Sequence, residues 1–485
     1  SVGSSRAQVP RRRAVVAVPA RAIPSFQKRS KRLRKMFSAF VSMFKIPDLR
    51  KKVLMTLILL AVCRIGAQVP TPGVSEKALV QAFETRGRGA PATLFGLINL
   101  FSGGAFKRAT VLALGIMPYI SASIILQLLT AVIPALEKLH KEGGEEGRRK
   151  MTQYTRYATV GLCAFQAFFM ATFVESMNTD FPGVVPNPGL GFRLTTMITM
   201  TTGTMFLMWI GEQISERGVG NGISLIITVG IVSRAPMALT TLWENLSLKD
   251  PSAQQLRPSW LPVLIFLFAG VTAGVIMLTQ GQRRIPVQYA KRIVGRRVYT
   301  GQSSYIPLRV NYAGVIPIIF ASAILMFPAT IGAWVKVPFI KTIAQQYLSP
   351  DRLFYTIIYV LLIFFFCYFW TATQFDPIQI ANNMKRNGAF IPGIRPGKPT
   401  AGFFEKTMTR ITFAGAMFLA FIAVIPRLLI RSIPGIDWNV ASFFGGTALL
   451  IIVGVTLDTM QTIESHLLMR HYDGFMKKGK LRGRY

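Results

Sequence analysis

Ten stretches of this chain stay apolar for about 20 residues each, and that length most constrains what it can fold into. They run Val53–Val69, Val111–Ile133, Tyr154–Ser176, Phe192–Ile214, Gly222–Leu242, Trp260–Thr279, Tyr312–Ile331, Phe354–Thr373, Arg410–Ile430 and Phe443–Ile463. A helix rises about 1.5 Å per residue, so each stretch can cross roughly 30 Å of hydrocarbon. Strand-like alternation is absent, and in lipid every backbone polar group must pair internally. The pattern predicts an all-α membrane protein with ten transmembrane helices.

The segments between the runs set the orientation. The chain carries 56 Lys and Arg against 20 Asp and Glu while 51% of it is hydrophobic, and its mean hydropathy is +0.41. A soluble protein is seldom both this apolar and this basic. The basic residues concentrate in the N-terminal tail, Pro134–Gln153, Gln280–Asn311, Asp376–Thr409 and the segment after His466, whereas Met177–Gly191 has none. All the basic segments fall on the side shared by both termini, so that side is cytosolic, or stromal in a plastid.

The polar chemistry of an enzyme is missing from the pattern. No phosphate-binding loop, Ser/His/Asp set or paired carboxylates stand in a plausible site, and Gly218-Val219-Gly220 reads as a turn between spans. Cys63, Cys163 and Cys367 each sit in an apolar run, and His140, His466 and His471 are scattered. Neither set has ligand spacing, so no catalytic residue, metal site or cofactor is expected. Any energy for transport must come from a partner.

Gln280–Asn311 has the signature of a β-hairpin outside the membrane. Ile285, Val287 and Tyr289 alternate, Gly295 breaks the run, and an extended pattern resumes from Val298 to Val310. The hairpin carries seven Lys or Arg, and no Asp or Glu occurs from Pro251 to Pro350. Leu94–Phe101 is a short apolar run ending at Ser102-Gly103-Gly104. It reads either as a half-helix dipping into the membrane, enclosed by protein, or as an interfacial helix. Arg64 lies inside the first span, where snorkelling toward the nearby end is the simple reading. In the second span, Ser121 and Gln127 suit either interhelical packing or a pore wall. Residues 1–47 lack Asp and Glu and are rich in Arg and Ser. They suit a basic tail on anionic lipid, or a chloroplast transit peptide or its remnant.

Four segments resemble the SecY family of protein-conducting channels, in that family's order. They are GIMPYISASIILQLL (Gly115–Leu129), KEGGEEGRRKMTQYTRY (Lys141–Tyr157), ISERGVGNGISLII (Ile214–Ile227) and GAFIPGIRPGKPT (Gly388–Thr400). The similarity runs from about Phe37 to the C-terminus. It implies two pseudo-symmetric inverted halves, helices 1–5 and 6–10, around a central pore, with a plug half-helix and a basic hairpin loop. The expected division is a tail at 1–47, an N-terminal half at 48–247 with the plug near 91–110, a C-terminal half at 248–465 with basic loops 280–311 and 376–409, and a tail at 466–485.

The resemblance also implies site residues. A pore ring falls on Ile116, Ile120, Ile227, Ile231, Ile319 and Ile451, positions that spacing alone reads as ordinary core. The plug falls on Phe101, Ser102, Gly103, Gly104, Ala105 and Phe106. A lateral gate between helices 2 and 3 and helices 7 and 8 includes Ser121, Gln127, Ser322 and Phe327. Arg283, Arg284, Arg296, Arg297 and Arg395 would dock a motor or ribosome. The implied partners are a SecE-type small subunit, the SecA ATPase, a translating ribosome, a membrane insertase, signal recognition particle machinery and polypeptides bearing signal sequences. The implied membrane is the chloroplast thylakoid, with a bacterial plasma membrane as the alternative. A secondary transporter of small solutes is the competing class. It would more often carry ionisable residues mid-span and has little need of two basic loops on one face.

Overall fold

The computed structural model describes residues 46–86, 102–178, 181–244, 258–289, 292–294, 297–299, 303–334, 353–433, 436 and 438–478. Two units divide the chain, Ser1–Lys51 and Lys52–Tyr485. Of the first, residues 46–51 are described, where helix α1 (Pro47–Gly66) begins. The second carries α2 (Glu76–Arg86), α3 (Met117–Val132), α4 (Pro134–Glu142), α5 (Gly144–Met177), α6 (Leu190–Arg217), α7 (Gly222–Val232) and α8 (Ala235–Glu244). Then come α9 (Leu261–Gln280), α10 (Ile316–Trp334), α11 (Leu353–Gln374), α12 (Pro377–Arg386), α13 (Lys398–Ser432), α14 (Trp438–Gly445) and α15 (Thr447–Lys478).

Each of the ten apolar runs forms helix, with three departures from the expected bounds. The second run starts as turns, and α3 begins only at Met117, with Pro118 in its first turn. Proline suits that position because the first-turn N–H groups have no intrahelical partner. The fifth run breaks between α7 and α8. Pro236 has no N–H to offer the Val232 carbonyl; at the break the Arg234 N–H turns to the Ile231 carbonyl, and the Ser233 hydroxyl bonds the Gly230 carbonyl. The tenth run is divided between α14 and α15. Among the described residues, six helical stretches are long and apolar enough to cross a membrane. Cys63, Cys163 and Cys367 are buried and unpaired.

The helices close into a circuit. α3 packs on α5, α5 on α6, α6 on α7, α7 on α15, α15 on α9, α9 on α13, α13 on α11, α11 on α10, and α10 returns to α3. Five spans lie in each half. An odd number leaves the second half entering the membrane from the opposite side to the first, so the halves are inverted. Their contacts repeat with an offset of five spans. Span 2 meets 3 as 7 meets 8, span 3 meets 4 as 8 meets 9, and span 4 meets 5 as 9 meets 10. The halves join where span 2 meets 7 and where span 5 meets 10. Each junction pairs a helix with its own counterpart, as a two-fold relation requires.

Spans 3 and 4 are tied near both ends by ion pairs. Arg156 donates through Nε and Nη2 to the two oxygens of Glu212, at 3.1 and 2.7 Å. Arg193 donates to Glu175 at 2.6 Å. A two-pronged guanidinium–carboxylate contact fixes orientation as well as distance, and it gains strength where water is partly excluded. The Glu212 side chain is 18% exposed, and a glutamine there would keep one acceptor oxygen but lose the charge and the second acceptor. Glu212→Gln is expected to cost about 2 kcal/mol and to lower the thermal unfolding midpoint in detergent. The exchange Arg156→Glu with Glu212→Arg should recover most of that loss.

Candidate functional site

The six predicted ring isoleucines lie in one hydrophobic cluster that draws on both halves of the chain. None is more than 6% exposed. Ile116 caps α3, and Ile120 follows one turn later, its N–H bonded to the Ile116 carbonyl at 3.1 Å. Ile227 and Ile231 stand one turn apart on α7, Ile319 lies in the first turn of α10, and Ile451 lies near the start of α15. Thus all six come from spans 2, 5, 7 and 10, the four helices that meet at the two junctions.

The chain near the predicted plug is irregular. Phe101 and the half-helix expected before it lie outside the described residues. Residues 102–116 are turns, save an isolated bridge from Thr110 to Pro70. Ala105 joins the isoleucine cluster, whereas Phe106 packs into a second cluster with Leu79, Met170 and Phe192. Span 4 makes room for this segment at Gly203, where a Cβ would stand 2.1 Å from the Val111 carbonyl oxygen. Arg64 departs from the snorkelling reading. It is half-buried and turns inward, donating from Nη2 to the Gly103 carbonyl at 3.2 Å. The enclosed polar carbonyl outcompetes the membrane surface as an acceptor for its charge.

The four predicted gate residues are on α3 and α10, which pack together. Gln127 bonds Ser123 at 3.2 Å and the buried Ser322 hydroxyl bonds the Ile319 carbonyl at 2.8 Å, each within its own helix. These bonds satisfy the polar groups without tying the two helices together. Ser121 is half-buried; the Phe327 side chain lies outside the described residues.

On the basic face, β1 (Gln282–Tyr289) pairs antiparallel with β4 (Ser303–Arg309), and β2 (Arg292–Val294) pairs with β3 (Arg297–Tyr299). Ile285 and Val287 are buried as the alternation predicts. Tyr289 is 43% exposed, because at the strand end the sheet has left its core. A contact absent from the sequence reading joins the two basic loops. Strand β5 (Ala389–Phe390) pairs with Gln288 and Tyr289 of β1. Ile285, Val287 and Leu308 then share a small core with Phe375, Met384 and Phe404. Arg283 and Arg284 are exposed, and the Arg284 guanidinium sits 4.7 Å from the Tyr305 ring centroid. Arg395 is also exposed, between Gly393 (φ 83°) and Gly397 (φ 105°), with its carbonyl bonded by Thr400 at 2.8 Å. Arg296 and the Arg297 side chain lie outside the described residues.

An inverted ten-span bundle with apolar residues gathered at both junctions and cations on one face has the build of a membrane channel. A family model described as SecY matches residues 110–460. The "Protein translocase subunit SecY" of Chlamydia muridarum is 49% identical over 452 residues, spanning 91% of this chain and 98% of that protein. A solved protein-conducting channel matches at 20% identity with a TM-score of 0.60, over 88% of this chain and 96% of that one. Sec61 in the canine ribosome–channel complex from the endoplasmic reticulum matches at 19% identity with a TM-score of 0.56, over the same shares. The chain belongs to the SecY family of protein translocase subunits. Its function is that of a protein-conducting channel, not a small-solute transporter.

The shared core of the two basic loops makes a prediction. Phe404 is fully buried there, and its truncation to Ala should cost about 3–5 kcal/mol locally. Phe404→Ala is expected to speed tryptic cleavage at Arg283 and Arg284 in intact membranes. An unchanged cleavage rate would mean that the hairpin holds without this core.

Proposed function

We propose that the six isoleucines form the seal of the channel, with the segment from Phe101 to Phe106 as its plug and the junction of α3 and α10 as its lateral gate. The supporting observation is that all six are buried together and come only from the four junction helices. A pore between inverted halves widens where the halves meet, so a seal built there opens with the pore. A branched aliphatic belt excludes ions, because an ion entering it loses water and gains no ligand. The same belt can yield around a polypeptide, since it makes no directional bonds. A nascent apolar helix must reach lipid sideways, and the α3–α10 junction is bridged by packing rather than by the gate hydroxyls and amide described above.

Docking falls to Arg283, Arg284, Arg296, Arg297 and Arg395 on the joined basic loops, with a translating ribosome or the SecA ATPase as the driving partner. A SecE-type small subunit, a membrane insertase and signal recognition particle machinery complete the assembly, and the substrates are unfolded preproteins with signal sequences. The membrane is the thylakoid of a chloroplast. That location rests on the acid-free, Arg- and Ser-rich composition of residues 1–47.

Ile451→Asn tests the seal. It sets a hydrogen-bonding amide in the belt and favours wetting, so ion conductance across reconstituted bilayers should rise and weakly apolar signal sequences should pass more readily. Conductance equal to the parent would refute the belt. Docking is tested separately. Arg296→Glu with Arg297→Glu should weaken ribosome binding and lower the slope of log affinity against log salt by about two. Binding unchanged at both low and high salt would refute docking through this face.

A further inference from the structure

Arg64 has no part in the seal, the gate or the docking face, yet it occupies the place where the plug segment meets the channel wall. Its guanidinium donates to the Gly103 carbonyl, and it pairs with no carboxylate among the described residues. It lines a partly open cavity with Leu60, Ser102, Ile116, Leu207 and Gly230, so the plug segment and spans 1, 2, 4 and 5 surround it. Gly103 is gripped from a second direction. A Cβ on it would stand 2.6 Å from Arg64 Nη1 and 2.8 Å from the Gly230 Cα. Gly103 itself has φ 64°, a conformation that side chains disfavour. Gly230 lies between Ile227 and Ile231, so the plug segment is held against the stretch of α7 that supplies two isoleucines of the belt.

We propose that Arg64 is a positioning residue that latches the plug shut. The idea rests on the plug and seal reading above. A half-buried cation beside apolar walls is costly unless an acceptor satisfies it. Here the acceptor is the backbone of the plug segment, so leaving the closed position strands the guanidinium until water reaches it. A bond made in the closed state and lost in the open one shifts that equilibrium by its own differential strength. The latch thereby sets how strong a signal sequence must be to open the channel.

The test uses the full chain reconstituted in bilayers, with Ile451→Asn run alongside. Arg64→Met keeps the apolar stem and removes the donors. It should raise ion conductance about tenfold, the shift expected from losing one charge-assisted hydrogen bond, and it should pass precursors with weakened signal sequences. Gly103→Ala should do the same by driving a methyl into the guanidinium. Gly103→Ala breaks the same contact and also presses on the Gly230 Cα, so the double variant should leak about as much as Gly103→Ala alone. Arg64→Met as tight as the parent, with Ile451→Asn leaking, overturns the latch and leaves the seal standing. Fully additive leaks from Arg64→Met and Gly103→Ala overturn it as well. If Arg64→Met does not fold, Gly103→Ala decides, and a tight Gly103→Ala channel overturns the latch. A tight Ile451→Asn channel counts against the seal instead and leaves the Arg64→Met result to judge the latch.

Discussion

A backbone N–H or C=O in hydrocarbon has no water to turn to, and the rest of the structure answers to that constraint. Ten helices satisfy it along most of the chain. Residues 102–116 do not form regular helix, and the structure encloses them in protein. Gly203 brings the span 4 backbone against Val111, Gly230 brings the span 5 backbone against Gly103, and Arg64 caps the Gly103 carbonyl. Irregular backbone inside the bundle is thus tolerated where neighbouring spans lack side chains and come close.

The same constraint shapes the face outside the membrane differently. There the chain is free to use strands, and β1 draws partners from both basic loops, β4 from its own and β5 from the other. Their small core packs the two basic loops against each other. Arg283 and Arg395 are separated by more than 100 residues of sequence, and the β1–β5 pairing joins the loops that carry them.

The odd number of spans per half decides the remaining architecture. Two five-span units of the same build stand inverted, and a two-fold relation brings span 2 to span 7 and span 5 to span 10. These contacts are made between counterparts, so neither half can form them alone. An apolar belt drawn from those four helices depends on the halves meeting, and ion pairs such as Arg156–Glu212 hold spans 3 and 4 together within one half without crossing the junctions.

Hydrophobic run length by itself marked the ten helical runs, though not the breaks in the fifth and tenth, and alternation with a glycine break marked the hairpin, because both signals are local. The charge of the loops sets the expected orientation for the same reason. The sequence did not reveal that Arg64 turns inward, since its acceptor is a carbonyl 39 residues away. The β5 strand is two residues long and exists only because β1 offers it an edge. The isoleucines at positions 116, 120, 227, 231, 319 and 451 have the spacing of ordinary core. Only tertiary structure places them in one buried cluster drawn from both halves, because no local pattern encodes which helix faces which.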